Sequence, residues 1–259
     1  MIFYKSEEQI ALIKEGAIIL GKAHAEVCKH IKPGVTTKFL DGIAFEYICD
    51  HGAQPSFKGY NGFPATLCIS VNDAVVHGIP DSTSLRDGDL VSIDCGVYYQ
   101  GLHSDSAYSY PVGQVSAEVK KLLEVTKTSL SLAIDACKQG NRIGDISYAV
   151  QSYVEKHNMS VVRELCGHGL GKDLHESPEV PNFGRRGSGI KLLEGLVIAI
   201  EPMVNFGKKE VYTDSDHWTI RTKDKKQSAH FEHTVVIRKN NAEVLTTFEY
   251  IEEVLKKNG

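Results

Sequence analysis

Two stretches of this chain repeat one order of secondary-structure signals, and this repetition restricts the fold more than any other feature. The segments PGVTTKFLDGIAFEYI and QGNRIGDISYAVQSYV match at positions 106 residues apart: Gly34 and Gly140, Leu40 and Ile146, Ile48 and Val154. Farther on, the runs DLVSID and LVIAIE end on acids 107 residues apart, Asp94 and Glu201. A near-constant offset is typical of an internal duplication. We therefore expect one α/β domain over residues 1–259, with pseudo-repeats at about 1–110 and 111–259.

Helical periodicity and end signals place the helices of each repeat. A first helix is expected from about Ser6 to Ile31, because Ser6 and Gln9 can form a capping box and Pro33-Gly34 stops the helix. Apolar spacing predicts further helices at about 37–50, 117–138 and 144–157, and a short one at the C-terminus. Short strands are expected at about 57–110 and from the fourth helix to about 246. We expect each repeat to end one strand on its acid.

Composition excludes several classes of protein. The 42% hydrophobic and 24% charged residues are ordinary for a globular protein, and the net charge of −4 argues against DNA binding through phosphate contacts. No apolar run approaches the roughly 20 residues that span a bilayer. The segment MIFYKSEEQI does not resemble a signal peptide, and the six cysteines form no CxxC pair. We therefore expect a cytoplasmic protein with reduced thiols and no membrane contact.

The segment LVSIDCGVYYQGLHSDSAYSY predicts a hairpin that carries two carboxylates. Gln100-Gly101 is suited to a tight turn. If the loop centres on Tyr99-Gln100, Asp94 lies directly opposite Asp105, with the two Cβ atoms about 4.5–5.5 Å apart. Two buried carboxylates at this distance repel each other strongly. Either one of them holds a proton or a cation lies between them.

Three further residues supply the same kind of ligand. Glu201 follows an apolar strand and precedes Pro202, which ends normal strand pairing. Glu232 lies in the expected strand SAHFEHTVVI, and His168 lies in GHGLGKDLHESP, which is too rich in glycine for a helix and too polar for a core strand. Four carboxylates and one imidazole can hold two divalent ions about 3.5–4 Å apart, which is the arrangement of a dinuclear hydrolytic centre. Such ligands suit Mn, Fe(II) or Co, and Zn is an alternative.

Each member of this set also has a simpler structural interpretation. A single Asp near a strand end is usually a turn cap, and a single His in a glycine-rich loop is more often exposed than a ligand. Cys95 is expected in the core, while His103, His217 and His233 are not expected to be ligands. The prediction therefore rests on the ordered set Asp-Asp-His-Glu-Glu and not on any one residue.

The motifs NDAVVHGIP, VSIDCG, HSDSA, GHGLGKDLHESP, AIEP and SAHFEHTVVI stand in the order and spacing of the type I methionine aminopeptidases of bacteria. The chain resembles this family over nearly its whole length. The resemblance implies the pita-bread fold, in which pseudo-two-fold duplicated helices pack on a curved antiparallel β-sheet. It also implies that Asp94 binds one of two metals, that Asp105 and Glu232 bridge them, and that His168 and Glu201 complete the other.

The resemblance further implies how such an enzyme works. A hydroxide that bridges the metals attacks the first peptide bond, Glu201 carries the proton to the leaving amine, and His77 and His175 bind the substrate. The initiator methionine is removed from nascent polypeptides when the second residue is small. An apolar pocket for methionine is implied at Tyr60, Phe63, Cys68, Leu174 and Trp218, with Phe57 nearby. Leu174 stands where many relatives carry Phe, and Phe63 where Tyr is common, so the shape of the pocket stays open.

Several alternatives remain at this stage. A proline-specific aminopeptidase or a prolidase has the same fold and metals, although such enzymes usually carry a large additional N-terminal domain. A metal-free relative of the creatinase type, a binding protein that has lost catalysis, and a cysteine hydrolase using Cys95 or Cys166 are further candidates. Family precedent favours a monomer. Docking on the ribosome stays open, and the basic run RTKDKKQ at 221–227 is expected to be a solvated hairpin tip.

Overall fold

The computed structural model describes residues 1–258, which form helices packed against antiparallel sheets. The α-helices of the described residues are α1 (Glu7–Cys28), α2 (Thr37–Asp50), α3 (Ala117–Asp135), α4 (Ile143–Lys156) and α5 (Glu249–Asn258). The strands of the first half are β1 (Gln54–Pro55), β2 (Leu67–Val71), β3 (Ala74–Val76), β4 (Leu90–Tyr99) and β5 (Leu102–Pro111). Those of the second half are β6 (Ser160–Val161), β7 (Cys166–Gly169), β8 (Glu176–Pro181), β9 (Val197–Ile200), β10 (Met203–Asn205), β11 (Val211–Thr213), β12 (Ile220–Thr222), β13 (Ser228–His230), β14 (His233–Ile237) and β15 (Ala242–Val244).

The helices begin and end close to the predicted positions. The Ser6 hydroxyl accepts a hydrogen bond from the Gln9 backbone N–H, and the Gln9 side chain accepts one from the Ser6 N–H, so the predicted capping box is confirmed. Helix α2 has the predicted limits, and α1 and α3 each end three residues early. Each pair of consecutive helices, α1–α2 and α3–α4, packs together before its strands begin. This order agrees with the predicted duplication, which itself stays a prediction.

Two of the sheets carry the site. In the first, β4 lies between β2 and β5 and also pairs with β1. In the second, the order is β15-β14-β9-β7-β8. Strand β14 contacts β5, where the Asp105 N–H donates to Thr234 Oγ1 and the Thr234 hydroxyl donates back to the Asp105 carbonyl. The two sheets therefore meet at β5, and the large apolar core that contains residues of α1 to α5 packs against them.

The register of the β4–β5 hairpin corrects one prediction. Asp94 lies opposite Ala107, and Asp105 lies opposite Gly96, so the two acids do not face each other directly. The loop is Gln100-Gly101, in which both residues have positive φ, 48° and 87°. Such values suit a two-residue hairpin turn, and they move the centre of the loop one residue beyond the expected one. Pairing then shifts by two residues, which leaves both carboxylates on the same face as diagonal neighbours.

Two strand ends were also predicted wrongly. Strand β4 continues past Asp94 to Tyr99, because Cys95 and Val97 remain buried in the core on the alternate positions. The segment SAHFEHTVVI is two strands and not one, since pairing stops at Phe231-Glu232 between β13 and β14. On either side of the break, Phe231 and His233 both pack on Phe248.

Candidate active site

Asp94 and Asp105 form the floor of a cavity between the two halves of the chain. Asp105 is 3% exposed, while Asp94 keeps some exposure to the cavity. One oxygen of each carboxylate, Oδ1, is buried without a hydrogen-bond partner. Buried carboxylate oxygens are rarely left in this state, because the desolvation of a charged group is costly. The pair therefore calls for a proton or a cation.

His168 presents a free nitrogen to the same cavity. It lies in β7, which corrects the expectation that this segment is not a strand. Two positions of this strand require glycine, because the backbone of neighbouring segments lies too close for a side chain. A Cβ on Gly167 would lie 2.4 Å from the Ala199 carbonyl oxygen, and one on Gly169 would lie 2.5 Å from the Ser177 carbonyl oxygen. Nδ1 of His168 lies 2.9 Å from the Gly169 carbonyl oxygen, which can only accept. The ring proton is therefore on Nδ1, and Nε2 carries the lone pair that a metal needs.

Glu201 and Glu232 complete the wall opposite the aspartates. Glu201 follows β9 directly, and its Oε1 and Oε2 lie 3.6 Å from His168 Nε2 and 3.7 Å from His230 Nε2. Glu232 occupies the break between β13 and β14, where its N–H donates to the Ala107 carbonyl oxygen at 2.9 Å. Glu232 is 2% exposed, and its Oε1 has no hydrogen-bond partner. The Glu232 side chain therefore enters the cavity at this break, while its backbone stays hydrogen-bonded to β5.

The electrostatics of these acids favour a bound cation. Burial raises the pKa of Asp94 to about 7, and burial together with neighbouring carboxylates raises the pKa values of Asp105 and Glu232 well above their ordinary ones. The pKa of Glu201 is raised for the same reasons. Within the described part of the chain, no lysine or arginine lines this cavity. Ligand atoms of Asp105, His168 and Glu232 all lie within 4.8 Å of one another. Unpartnered oxygens around a bare imidazole nitrogen fit a divalent metal.

Two further histidines face the cavity as neutral rings. His77 follows β3 with a positive φ of 59°, and the next residue must be glycine because a Cβ on Gly78 would lie 2.1 Å from the Ile69 carbonyl oxygen. Burial lowers the pKa of His77 to about 4. His175 is exposed at the mouth, where desolvation also lowers its pKa. Its Nδ1 lies 2.8 Å from the Tyr60 hydroxyl, which fixes the ring beside that of His168.

An apolar pocket adjoins the acids. Phe57, Phe63, Cys68 and Leu174 are buried in one cluster, and the partly buried rings of Tyr60 and Trp218 pack against it. The rings of Phe63 and Trp218 meet edge to face with centroids 5.2 Å apart. The whole cavity encloses about 730 Å³, including its open mouth.

All of the predicted site residues line this one cavity: Tyr60, Phe63, Cys68, His77, Asp94, Asp105, His168, Leu174, His175, Glu201, Trp218 and Glu232. The sequence analysis missed Asn61, which also lines it, and gave no role to His230 beside Glu201. The spacing of two residues between His230 and Glu232 in SAHFE is the sequence signal that would place them on one face of a strand.

Comparison with known proteins identifies the family. The profile of metallopeptidase family M24 matches residues 11–239. The chain belongs to metallopeptidase family M24. A methionine aminopeptidase of Clostridium perfringens is 52% identical over 246 residues, which are 95% of this chain and 99% of that protein. Methionine aminopeptidase 1 of Bacillus subtilis is 50% identical with the same coverage. The crystal structure of methionine aminopeptidase from Rickettsia prowazekii matches with a TM-score of 0.94 and 38% identity, over 95% of this chain and 100% of that one.

Membership of family M24 confirms the predicted pita-bread fold and implies divalent metal in the cavity. The metal-free and binding-protein alternatives are not favoured, because relatives at 50–52% identity over nearly their full length are methionine aminopeptidases. The cysteine hydrolase is disfavoured by chemistry as well, because burial raises the pKa of Cys95 well above its ordinary value and that of Cys166 to about 11, so neither is a thiolate at neutral pH. No helix of residues 1–258 combines the length and apolarity needed to cross a bilayer.

Proposed function

We propose that this M24 enzyme removes the N-terminal methionine from polypeptides. The observation that carries the proposal is one cavity in which five metal-type ligands, two neutral histidines and an apolar pocket lie side by side. An exopeptidase that removes a single apolar residue needs its metal ligands, its substrate-binding groups and its side-chain pocket next to one another. The proline-specific alternative is not favoured, because relatives that are 50–52% identical over nearly their full length are methionine aminopeptidases.

We propose that Asp94, Asp105, His168, Glu201 and Glu232 hold two divalent ions, with Mn, Fe(II), Co and Zn as candidates. When bound, such ions lower the pKa of a water and stabilise charge that develops on a carbonyl oxygen. The unpartnered oxygens of Asp94, Asp105 and Glu232 and the bare Nε2 of His168 support this ligand set.

The other residues bind substrate and move protons. Glu201 takes the proton of the nucleophile and delivers it to the leaving amine. His77 and His175, both neutral, hydrogen-bond the backbone of the substrate on either side of the scissile bond. The Tyr60 hydroxyl holds the His175 ring in place for that task. The apolar cluster around Phe63, Leu174 and Trp218 takes the methionine side chain, and we propose that a small second residue is preferred.

Partners and cellular setting belong to the same proposal. We propose that the substrates are nascent polypeptides in the cytoplasm, and that the enzyme is a monomer of one duplicated domain. For the basic segment 221–227 a solvated hairpin tip remains the favoured prediction, and contact with the ribosome is the alternative. Part of its charge is already paired, since Arg221 binds Asp73 at 2.8 Å and also contacts Asp214. That pairing favours a structural role for Arg221.

The experiment is a metal add-back assay. The protein is stripped with a chelator, restored with Mn, Fe(II), Co or Zn one at a time, and given Met-Ala-Ser, Met-Leu-Ser or Ala-Pro-Ser. We expect metal-dependent release of methionine, faster from Met-Ala-Ser than from Met-Leu-Ser. Cleavage of Ala-Pro-Ser in its place would establish the proline-specific alternative. No release with any metal, from protein that remains folded, would refute the proposal.

A further inference from the structure

His230 is a buried polar residue that the mechanism above does not use. Its side chain lies at the end of β13 and is 1% exposed, and its Nε2 has no hydrogen-bond partner. An unpaired buried nitrogen costs free energy, so its retention needs a reason. Oε2 of Glu201 lies 3.7 Å from this nitrogen.

Two hydrogen bonds to Ser109 hold the backbone of His230 at the end of β13. The Ser109 hydroxyl donates to the His230 carbonyl oxygen at 2.7 Å, and the His230 N–H donates to the same hydroxyl oxygen at 2.9 Å. Ser92 Oγ lies 2.7 Å from Ser109 Oγ and fills its remaining position. Because β4 and β5 supply these two serines, the strands that carry Asp94 and Asp105 also hold the backbone from which the imidazole extends.

Glu201 consequently lies between two imidazoles that have opposite roles. His168 carries its proton on Nδ1 and turns a bare Nε2 towards Oε1 of Glu201. On the other side, Nε2 of His230 faces Oε2 of Glu201. An ionised carboxylate oxygen can only accept a hydrogen bond, so the ring proton of His230 is favoured on Nε2.

We propose that His230 is a positioning residue, whose Nε2–H donates to Oε2 of Glu201 and turns Oε1 towards the metal on the His168 side. The present 3.7 Å exceeds hydrogen-bond length by about 0.7 Å, a gap that rotation of the Glu201 side chain can close. His230 is thus the partner that orients one metal ligand, and it does not touch metal or substrate itself. The inference rests on the proposed metal site.

Two variants of His230 separate this role from a structural one. His230→Gln keeps an N–H donor of similar reach, whereas His230→Leu fills the site with an apolar side chain. The dissociation constant for Mn²⁺ is measured by calorimetry on metal-free protein, and the free energy of unfolding is measured by urea in chelator. Loss of a group that orients a ligand typically weakens metal binding 10–100-fold. We expect that loss for His230→Leu and a change below about threefold for His230→Gln.

The urea stability of metal-free His230→Leu should not fall together with its Mn²⁺ affinity. Because His230 Nε2 has no partner there, leucine should not lower the urea midpoint. His233→Leu is the matched control, since His233 is on the opposite face, where its Nδ1 lies 2.7 Å from Thr246 Oγ1. That variant should lose stability and keep its Mn²⁺ affinity.

Three results would overturn the inference: unchanged Mn²⁺ affinity in His230→Leu, equal losses in the Leu and Gln variants, or an equal loss in His233→Leu. Wild-type protein assayed beside them on Met-Ala-Ser keeps the two proposals apart. Failure of the proposed function would appear in the wild type, and failure of this inference only in the variants.

Discussion

Nε2 of His168 lies 3.6 Å from Oε1 of Glu201, and neither atom can donate to the other when Glu201 is ionised. Two lone pairs therefore face each other across the space where a cation is expected. Glu201→Gln replaces one acceptor by an amide that can donate to His168. We expect the urea stability of the metal-free variant to be close to that of the wild type, because burial raises the pKa of Glu201 and the protonated wild-type acid can also donate to His168.

Catalysis, unlike stability, should be strongly impaired by Glu201→Gln. The amide cannot carry a proton, and general acid–base catalysis typically contributes about 10²–10⁴ in rate. We expect kcat for Met-Ala-Ser to fall by at least about 100-fold with the metal concentration raised to saturation. Asn182→Ala is a control, since Asn182 binds only the Glu201 carbonyl at 3.0 Å. A variant Glu201→Gln with wild-type kcat would exclude the proton-transfer role.

Metal binding should release protons near neutral pH. Burial raises the pKa of Asp94 from 3.8 to about 7, and it also raises the pKa values of Asp105, Glu201 and Glu232 well above their ordinary ones. The folded metal-free protein therefore holds protons that the unfolded chain has lost, and this contribution to stability disappears as pH rises through about 7. A cation takes the place of those protons. Calorimetry in buffers of different ionisation enthalpy should show release at pH 6.5 and less at pH 8; heats independent of the buffer would contradict this.

His24 should make stability depend on pH in the opposite sense. It is 2% exposed, its Nε2 lies 2.9 Å from the Ser106 carbonyl oxygen, and burial lowers its pKa from 6.5 to about 4. Between these values the unfolded chain binds a proton that the folded protein does not. The free energy of unfolding should therefore decrease as pH falls from 6.5 towards 4, by up to about 1.4 kcal/mol per pH unit.

The variant His24→Gln isolates this contribution. Glutamine keeps an N–H donor for the Ser106 carbonyl but does not titrate. Urea unfolding of metal-free protein at several pH values should give the variant a shallower slope below pH 6.5, by roughly one proton. All other titrating groups are common to both proteins and cancel in the difference. Parallel profiles for the two proteins would show that His24 is not the source.

Leu174 should limit the size of the N-terminal side chain. It is 2% exposed within the apolar cluster that includes Phe63 and Trp218. Leu174→Ala enlarges the pocket, and one methylene in such a pocket is worth about 1–3 kcal/mol of discrimination. We expect the ratio of kcat/KM for Met-Ala-Ser over Phe-Ala-Ser to fall by at least about tenfold. An unchanged ratio, in a variant that is still folded, would place the methionine side chain elsewhere.

Short-range patterns in the sequence were enough to predict much of the fold and which residues belong to the site. The capping box at Ser6 and the limits of α2 depend on neighbouring residues, which a sequence displays directly. The five candidate ligands follow from residue type and order. They required no knowledge of distances.

Long-range pairing accounts for what was missed. The hairpin register depends on which two residues adopt positive φ, and Gln100 gives little sign of doing so. Strand β7 was rejected as too polar because its partners β8 and β9, which bury Gly167 and His168, come later in the chain. The position of His230 against Glu201 depends on β10 pairing with β13. Each of these contacts joins distant segments, for which no local residue pattern exists.

Lys5 and Glu176 form a buried ion pair that ties the N-terminal segment to the loop carrying His175. Their side chains are 3% and 4% exposed, and Glu176 Oε1 also accepts the Lys172 N–H at 2.9 Å. In Lys5→Met the carboxylate remains buried without its cation. Breaking one side of a buried pair typically costs about 3–5 kcal/mol, so we expect a loss of that order in the free energy of unfolding by urea.

The double variant Lys5→Met/Glu176→Gln tests that explanation. If the loss comes from an uncompensated charge, removing the charge should recover most of the stability, since neutral replacements of buried pairs are often tolerated. Glutamine keeps the carbonyl oxygen that accepts the Lys172 N–H, so the loop should retain its shape and kcat should return with the stability. A double variant as unstable as Lys5→Met would instead mean that the packing of the lysine stem against Gly171 holds the loop.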